Sequence, residues 1–162
     1  MSDTLDTLEN ITYEELQEGD SATYVKTLTE DELVLFAAVS GDVNPVHLDS
    51  EFAADSAFKE RIAHGMWSGA IISAALATVM PGPGTIYLEQ SLSFKRPVKL
   101  DDTLTVNLKV LSKERKNRVT LACDVRNQND QQVVTGEAKV IAPTQKMSLS
   151  KPRLPRITIE HS

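Results

Sequence analysis

The stretch at residues 65–84 reads GMWSGAIISAALATVM followed by PGPG. Its first part has the length of a helix and is crowded with small side chains: Gly65, Ser68, Gly69, Ala70, Ser73, Ala74, Ala75 and Ala77. Small side chains let a helix lie close against a sheet, so this segment is expected to use them for that contact. Pro81-Gly82-Pro83-Gly84 then ends the helix. Beyond it the pattern changes to period two. Ile86, Leu88, Leu92 and Phe94 are expected on one face of a strand, and Leu104, Val106, Leu108 and Val110 alternate with Thr105, Asn107 and Lys109. Val119, Leu121, Cys123 and Val125 repeat the pattern, and Val134, Gly136, Ala138 and Val140 continue it, with turn chemistry at Asn129-Asp130. One-sided alternation predicts an antiparallel sheet with one covered face. The long helix is the obvious cover, which makes the class α+β.

Toward the N-terminus, a first strand is expected over 21–28. Thr29-Glu30-Asp31-Glu32 follows as a capping box, because a Thr hydroxyl and a Glu three residues on can satisfy each other's free amides. It opens a helix placing Leu33, Phe36 and Ala37 on one face, and Gly41 stops it. A loop is expected over 42–49, after which Ser50 can cap a second short helix. Residues 1–20 read as an acidic arm, residues 21–142 as the domain, and residues 143–162 as a tail or linker with two prolines after Pro143 and four basic residues.

The chain is 162 residues long and 41% hydrophobic, which suits one domain with a real core. A net charge of −6 argues against a nucleic-acid partner. No apolar run approaches the roughly 20 residues of a membrane span, and the acidic, polar start does not resemble a signal peptide. The one cysteine, Cys123, permits no internal disulfide, so the expected location is the cytoplasm.

The densest chemistry lies in Ser40-Gly41-Asp42-Val43-Asn44-Pro45-Val46-His47. A helix would throw Asp42 and His47 onto different faces, whereas a loop closed by Pro45 can aim both at one point. A carboxylate and a neutral imidazole can each accept a proton, so together they can hold and deprotonate a water molecule. Loops rich in Asp, Asn, Gly and Pro are also ordinary turns. A metal site from Asp42, His47 and His64 is conceivable, but the sequence has no cysteine cluster, no H-E-x-x-H and no oxygen-rich loop, so no metal is expected.

The block S-G-D-x-N-P-x-H followed by Ala53 resembles the signature of the MaoC-like (R)-specific enoyl-CoA hydratases. The likeness continues through Ile62-Ala63-His64-Gly65-Met66 to Ser73, then through 87–94 and Thr135-Gly136-Glu137-Ala138, covering roughly residues 20–142. The resemblance implies a hot-dog fold, an antiparallel sheet wrapped around a long central helix. It also implies that Asp42 and His47 activate water, that the Gly65 amide faces the thioester oxygen, and that Ser73 lines the site. The reaction implied is syn hydration of trans-2-enoyl-CoA to (R)-3-hydroxyacyl-CoA, with CoA as part of the substrate and no separate cofactor. Asn44 is expected to orient the loop or touch substrate, and His64 to shape the helix entry. Lys95 and Arg96 could meet CoA phosphates, although basic residues at strand ends are usually solvated. Cys123, on an apolar face, is expected to be an inert core thiol.

Hot-dog domains resemble one another in forming dimers, so a homodimer is expected. The match at 62–67 and 81–87 is similar to the N-terminal domain of bifunctional enoyl-CoA hydratase/phosphate acetyltransferase proteins. That likeness makes the tail a linker toward a transferase domain, fused or separate. Three other functions share these features: an acyl-thioester hydrolase, an acyl-carrier-protein dehydratase, and a non-catalytic acyl-CoA-binding module. The intact D-x-N-P-x-H loop argues against the first, and the presence of both Asp42 and His47 against the last.

Overall fold

The molecule, a computed structural model, is described over residues 6–161. Residues 1–5 of the expected arm and residue 162 of the tail lie outside that span. In chain order the elements are β1 (Thr7–Glu9), β2 (Ser21–Thr27), α1 (Glu30–Ser40), α2 (Pro45–Leu48), α3 (Ser50–Asp55) and α4 (Gly65–Thr78). They continue as β3 (Ile86–Gln90), β4 (Ser93–Phe94), β5 (Thr103–Lys113), β6 (Arg118–Arg126), β7 (Gln132–Ile141) and β8 (Ser148–Ser150).

The main sheet runs β2-β5-β6-β7-β3, antiparallel throughout, and β4 pairs with β7 just beyond β3. All the alternating apolar residues of β5 and β6 are buried, as are Val134, Ala138 and Val140 of β7. They form one cluster with Trp67, Ile71, Ile72, Ala75 and Leu76 of α4. Burying each large side chain there contributes roughly 1.5–3 kcal/mol. A sheet closed over one long helix is the hot-dog arrangement.

Of the small residues expected against the sheet, α4 buries only Ser68 and Ala75. Its buried stripe is Trp67, Ser68, Ile71, Ile72, Ala75 and Leu76, largely bulky residues. The small residues Gly69, Ala70, Ser73, Ala74 and Ala77 are partly or fully exposed. The helix is apolar all round, so the wider face went to the core, where volume fills space best.

Three further expectations are corrected. The run beginning at Ile86 is broken by a register shift between Tyr87 and Glu89 and again before β4. Ile86, Leu88 and Phe94 are therefore exposed, and only Leu92 packs on the core. Asp49, not Ser50, caps α3, its Oδ1 accepting from the Glu51 and Phe52 amides. Residues 45–48 are one helical turn rather than loop, with Pro45 in the first turn, where a missing N–H costs nothing. The Thr29–Glu32 capping box and the left-handed Gly41 stop, at φ 77°, are as the residues dictate.

Arm and tail pair with each other, β1 lying antiparallel to β8. Buried Asn10 holds the join: its Nδ2 donates to the carbonyls of Pro83 and Gln145, and its Oδ1 accepts from the Met147 amide. Lys146 bridges the Asn10 carbonyl and Glu15. The Thr12 amide and this ammonium hold the Glu15 carboxyl below its usual range. The Ile11 amide donates to the Pro81 carbonyl, so the clasp also fixes the turn that ends α4.

Candidate active site

The stop at Gly41 turns the chain out of α1 and places Asp42 over α2. Three contacts hold Asp42. Its amide donates to Ser40 Oγ at 3.2 Å, its Oδ1 accepts from the Asn44 amide at 3.1 Å, and its carbonyl meets His64 Nε2 at 2.8 Å. The second carboxylate oxygen, Oδ2, faces His47 Nε2 at 3.8 Å. Asn44 acts locally, its Oδ1 accepting from the Val46 amide to cap the turn that carries His47.

His47 is fixed as firmly. Its Nδ1 lies 2.8 Å from the Ile62 carbonyl. A carbonyl only accepts, so Nδ1 carries a proton, and in the neutral form of the ring Nε2 presents a lone pair toward Asp42. Arg61 Nε donates to the His47 carbonyl at 2.7 Å, while its guanidinium pairs with Glu30 at 2.7 Å and ties α2 to the start of α1. The His64 ring stacks on that of His47 with centroids 3.8 Å apart, and Phe36 packs against His64 from α1. His47 is buried, whereas the Asp42 side chain is about half exposed at 53%.

His64 leads directly into Gly65, the first residue of α4. The first turn of a helix leaves its amides without intrahelical acceptors and carries the positive end of the dipole. A side chain at Gly65 would meet the Phe94 ring, whose nearest atom lies 3.0 Å from the position a Cβ would take. Phe94 separates two hollows. A cavity of about 330 Å³ is bordered by Phe58, His64, Gly65, Ser68, Lys95 and Arg96. A groove of about 710 Å³ is bordered by Phe36, Met66, Gly69, Ala70, Leu92 and Phe94. Asp42 and His47 border neither; His64 and Gly65 connect them to the smaller one. Ser73 borders neither hollow, but helical spacing puts it on the same face as Met66, Gly69 and Ala70. Lys95 and Arg96 reach the smaller cavity, and Arg96 also donates to the Gln132 carbonyl at 2.9 Å.

Residues 14–133 match the MaoC like domain. The chain belongs to the MaoC-like family. It is 44% identical over 134 residues to an (R)-specific enoyl-CoA hydratase of Rhodospirillum rubrum, covering 81% of this chain and 91% of that one. Among solved structures, the R-hydratase PhaJ1 from Pseudomonas aeruginosa superposes with a TM-score of 0.93 at 58% identity, over 95% of this chain and 99% of that one. The (R)-hydratase from Aeromonas caviae superposes at 0.77 with 42% identity, over 79% of this chain and 98% of that one.

Within this MaoC-like domain, Asp42, His47 and His64 offer ligand atoms within 4.8 Å of one another. The two imidazole planes are stacked and inclined by only 25°. A metal bond lies in the ring plane at about 2.0–2.1 Å from nitrogen, and two such planes do not meet that close to both rings. The geometry therefore disfavours a shared metal. Burial pushes the Cys123 thiol up to about 11, which leaves it protonated and inert at neutral pH. Sequence reasoning missed Arg61, Phe36 and the place of Phe94. Arg61 acts through a backbone carbonyl, and no spacing rule signals such a contact.

Proposed function

We propose that the chain hydrates trans-2-enoyl-CoA thioesters reversibly to (R)-3-hydroxyacyl-CoA. The observation that carries this reading is the pair of acceptors, Asp42 Oδ2 and His47 Nε2, held 3.8 Å apart. A water placed between them with hydrogen bonds of about 2.8 Å would subtend about 85°, near its own angle. It donates one proton to each acceptor and keeps a lone pair for attack on C3. Attack drives charge onto the thioester oxygen, where the Gly65 amide and the α4 dipole stabilise the enolate. The proton taken from water returns to C2 from the same pair, on the same face. Neither metal nor separate cofactor has a part in these steps. The names of the Rhodospirillum and Pseudomonas relatives support the (R) product.

The same chemistry run in reverse on a carrier-protein thioester is a dehydration, and attack on C1 instead of C3 would be hydrolysis. Incubation with crotonyl-CoA and with the matching carrier-protein thioester, following the enoyl absorbance and free thiol together, separates the three. The expected result is rapid hydration of the CoA thioester without thiol release. Thiol release at the rate of enoyl loss would assign hydrolysis instead.

The reading extends to assembly. Edge strand β3, the short β4 and the α4 face beside them expose Ile86, Leu88, Phe94 and Met66. An unpaired apolar edge is an association hazard unless something covers it. A second copy of the chain fits, since edge-to-edge pairing would cover β3 and close the open groove. Sedimentation is expected to give at least twice the 17.8 kDa chain mass. A fully active monomer would contradict this.

The groove along Gly69 and Ala70 is then the acyl channel, and Ser73 continues its wall one turn further. Each methylene excluded from an apolar channel forfeits about 0.8 kcal/mol, roughly fourfold. Ser73→Leu is expected to lower kcat/KM for hexenoyl-CoA more than for crotonyl-CoA, by a further factor of roughly four to sixteen. Equal losses would return Ser73 to the scaffold.

Residues 21–142 form the catalytic unit in this reading, with arm and tail clasping its far end. The single, buried cysteine suits the cytoplasm. Among the described residues no helix is long and apolar enough to cross a membrane. Acyl-CoA is the one partner besides a second copy. Fusion to a phosphate acetyltransferase, implied by the resemblance at 62–67 and 81–87, is not shown by the relatives named above.

A further inference from the structure

We propose that His64 is a positioning residue for hydration, setting both members of the Asp42–His47 pair at once; the inference rests on that pair being the water-activating site. Three observations carry it. His64 Nε2 lies 2.8 Å from the Asp42 carbonyl, and since a carbonyl only accepts, this nitrogen donates. The same ring stacks on His47 at 3.8 Å, fixing the tilt of the ring whose Nε2 faces Asp42. Its other nitrogen, Nδ1, is buried and has no hydrogen-bond partner among the described residues.

The third observation separates positioning from mere packing. A buried acceptor without a partner weakens a fold relative to an apolar ring of similar shape. As a filler between Phe36 and His47, phenylalanine would therefore serve the core at least as well. What phenylalanine cannot do is donate to the Asp42 carbonyl. Losing that donor removes one of the three contacts that hold Asp42 at its distance from His47. His64 also precedes Gly65 directly. One side chain thus links the carboxylate, the imidazole and the start of the helix that meets the thioester oxygen.

The test uses the full chain and crotonyl-CoA, with His64→Phe keeping the ring, His64→Gln keeping a donor and His64→Leu keeping neither. His64→Phe is expected to lower kcat on the order of 10- to 100-fold, the scale of a misplaced reacting group. KM should change less than about threefold and Tm should stay near the parent's, because removing the unpartnered nitrogen offsets the lost hydrogen bond to the Asp42 carbonyl. His64→Gln should recover at least about fivefold over His64→Leu by restoring the donor. Adding His64→Phe to Asp42→Asn should cost less than about twofold more, because residues acting through one group are not additive. A kcat for His64→Phe within twofold of the parent overturns the inference. Should that variant unfold, equal kcat for the Gln and Leu variants overturns it instead. Near-parental hydration by Asp42→Asn would mean that the pair itself was misread. An inactive Asp42→Asn beside a fully active His64→Phe sinks only the role of His64.

Discussion

Asp42→Asn is expected to lower kcat for crotonyl-CoA hydration by a factor on the order of 10²–10⁴, the usual worth of a positioned base, while the protein keeps its fold. The geometry explains both halves of that expectation. The Asn44 amide donates to Asp42 Oδ1, so an asparagine would keep its carbonyl oxygen there and turn its amide nitrogen toward His47. The anchoring contact survives, and with it the turn. The group facing His47 Nε2 becomes a donor, however, and a water between them can no longer give a proton to each side. Stopped-flow or steady-state loss of the enoyl absorbance, read beside a thermal melt, checks the pair of expectations. A variant that hydrates at close to the parental rate would remove Asp42 from the chemistry. A variant that melts far below the parent would make it structural.

Gly136→Ala is expected to be the most damaging single methyl group in the domain. A Cβ at Gly136 would fall 1.9 Å from the Ser91 carbonyl oxygen and 2.8 Å from its carbon, a backbone overlap that no rotamer can relieve. Ser91 is held in place from both sides: its amide donates to the Glu137 carbonyl at 2.9 Å and its Oγ accepts from the Glu137 amide at 2.9 Å. Relief requires β7 and the β3–β4 segment to part. Overpacking of this kind costs about 3 kcal/mol or more, which lowers Tm by roughly 10 °C. The damage should reach the site, because the displaced segment carries Leu92, which borders the groove, and Phe94, which borders both the groove and the cavity at Gly65. Differential scanning calorimetry checks the stability loss. An unchanged Tm would show that β3 and β4 can shift freely.

Gly136 also shows where sequence reading stops. In the alternation of β7 it occupies an inward position, and the period-two pattern treats it as one more small residue. The reason for glycine is a carbonyl 45 residues earlier in the chain, which no periodicity within β7 can report. The same limit governed α4. Its length and its stop at Pro81 were plain, but a helix apolar on every side carries no phase, so the choice of Trp67, Ile71 and Ile72 for the core came from tertiary packing. Strands β5 to β7 were legible because one face is polar and the other is not. The clasp of β1 with β8 was not, because two three-residue polar strands near opposite ends of the chain offer neither alternation nor turn chemistry. In the candidate site, residue type drew attention to Asp42 and His47, but only the family resemblance set them apart from an ordinary turn. Arg61 and His64 act on the carbonyls of His47 and Asp42, and backbone groups leave no trace in a side-chain pattern.

A water held by Asp42 and His47 should add to C3 of an enoyl-CoA on one face only, and chiral analysis of the product formed from crotonyl-CoA by the purified chain decides whether it does. The expected product is (R)-3-hydroxybutyryl-CoA, formed as the enoyl absorbance falls and without release of free CoA. Formation of the (S) product, a racemic mixture, or no hydration at all would contradict it.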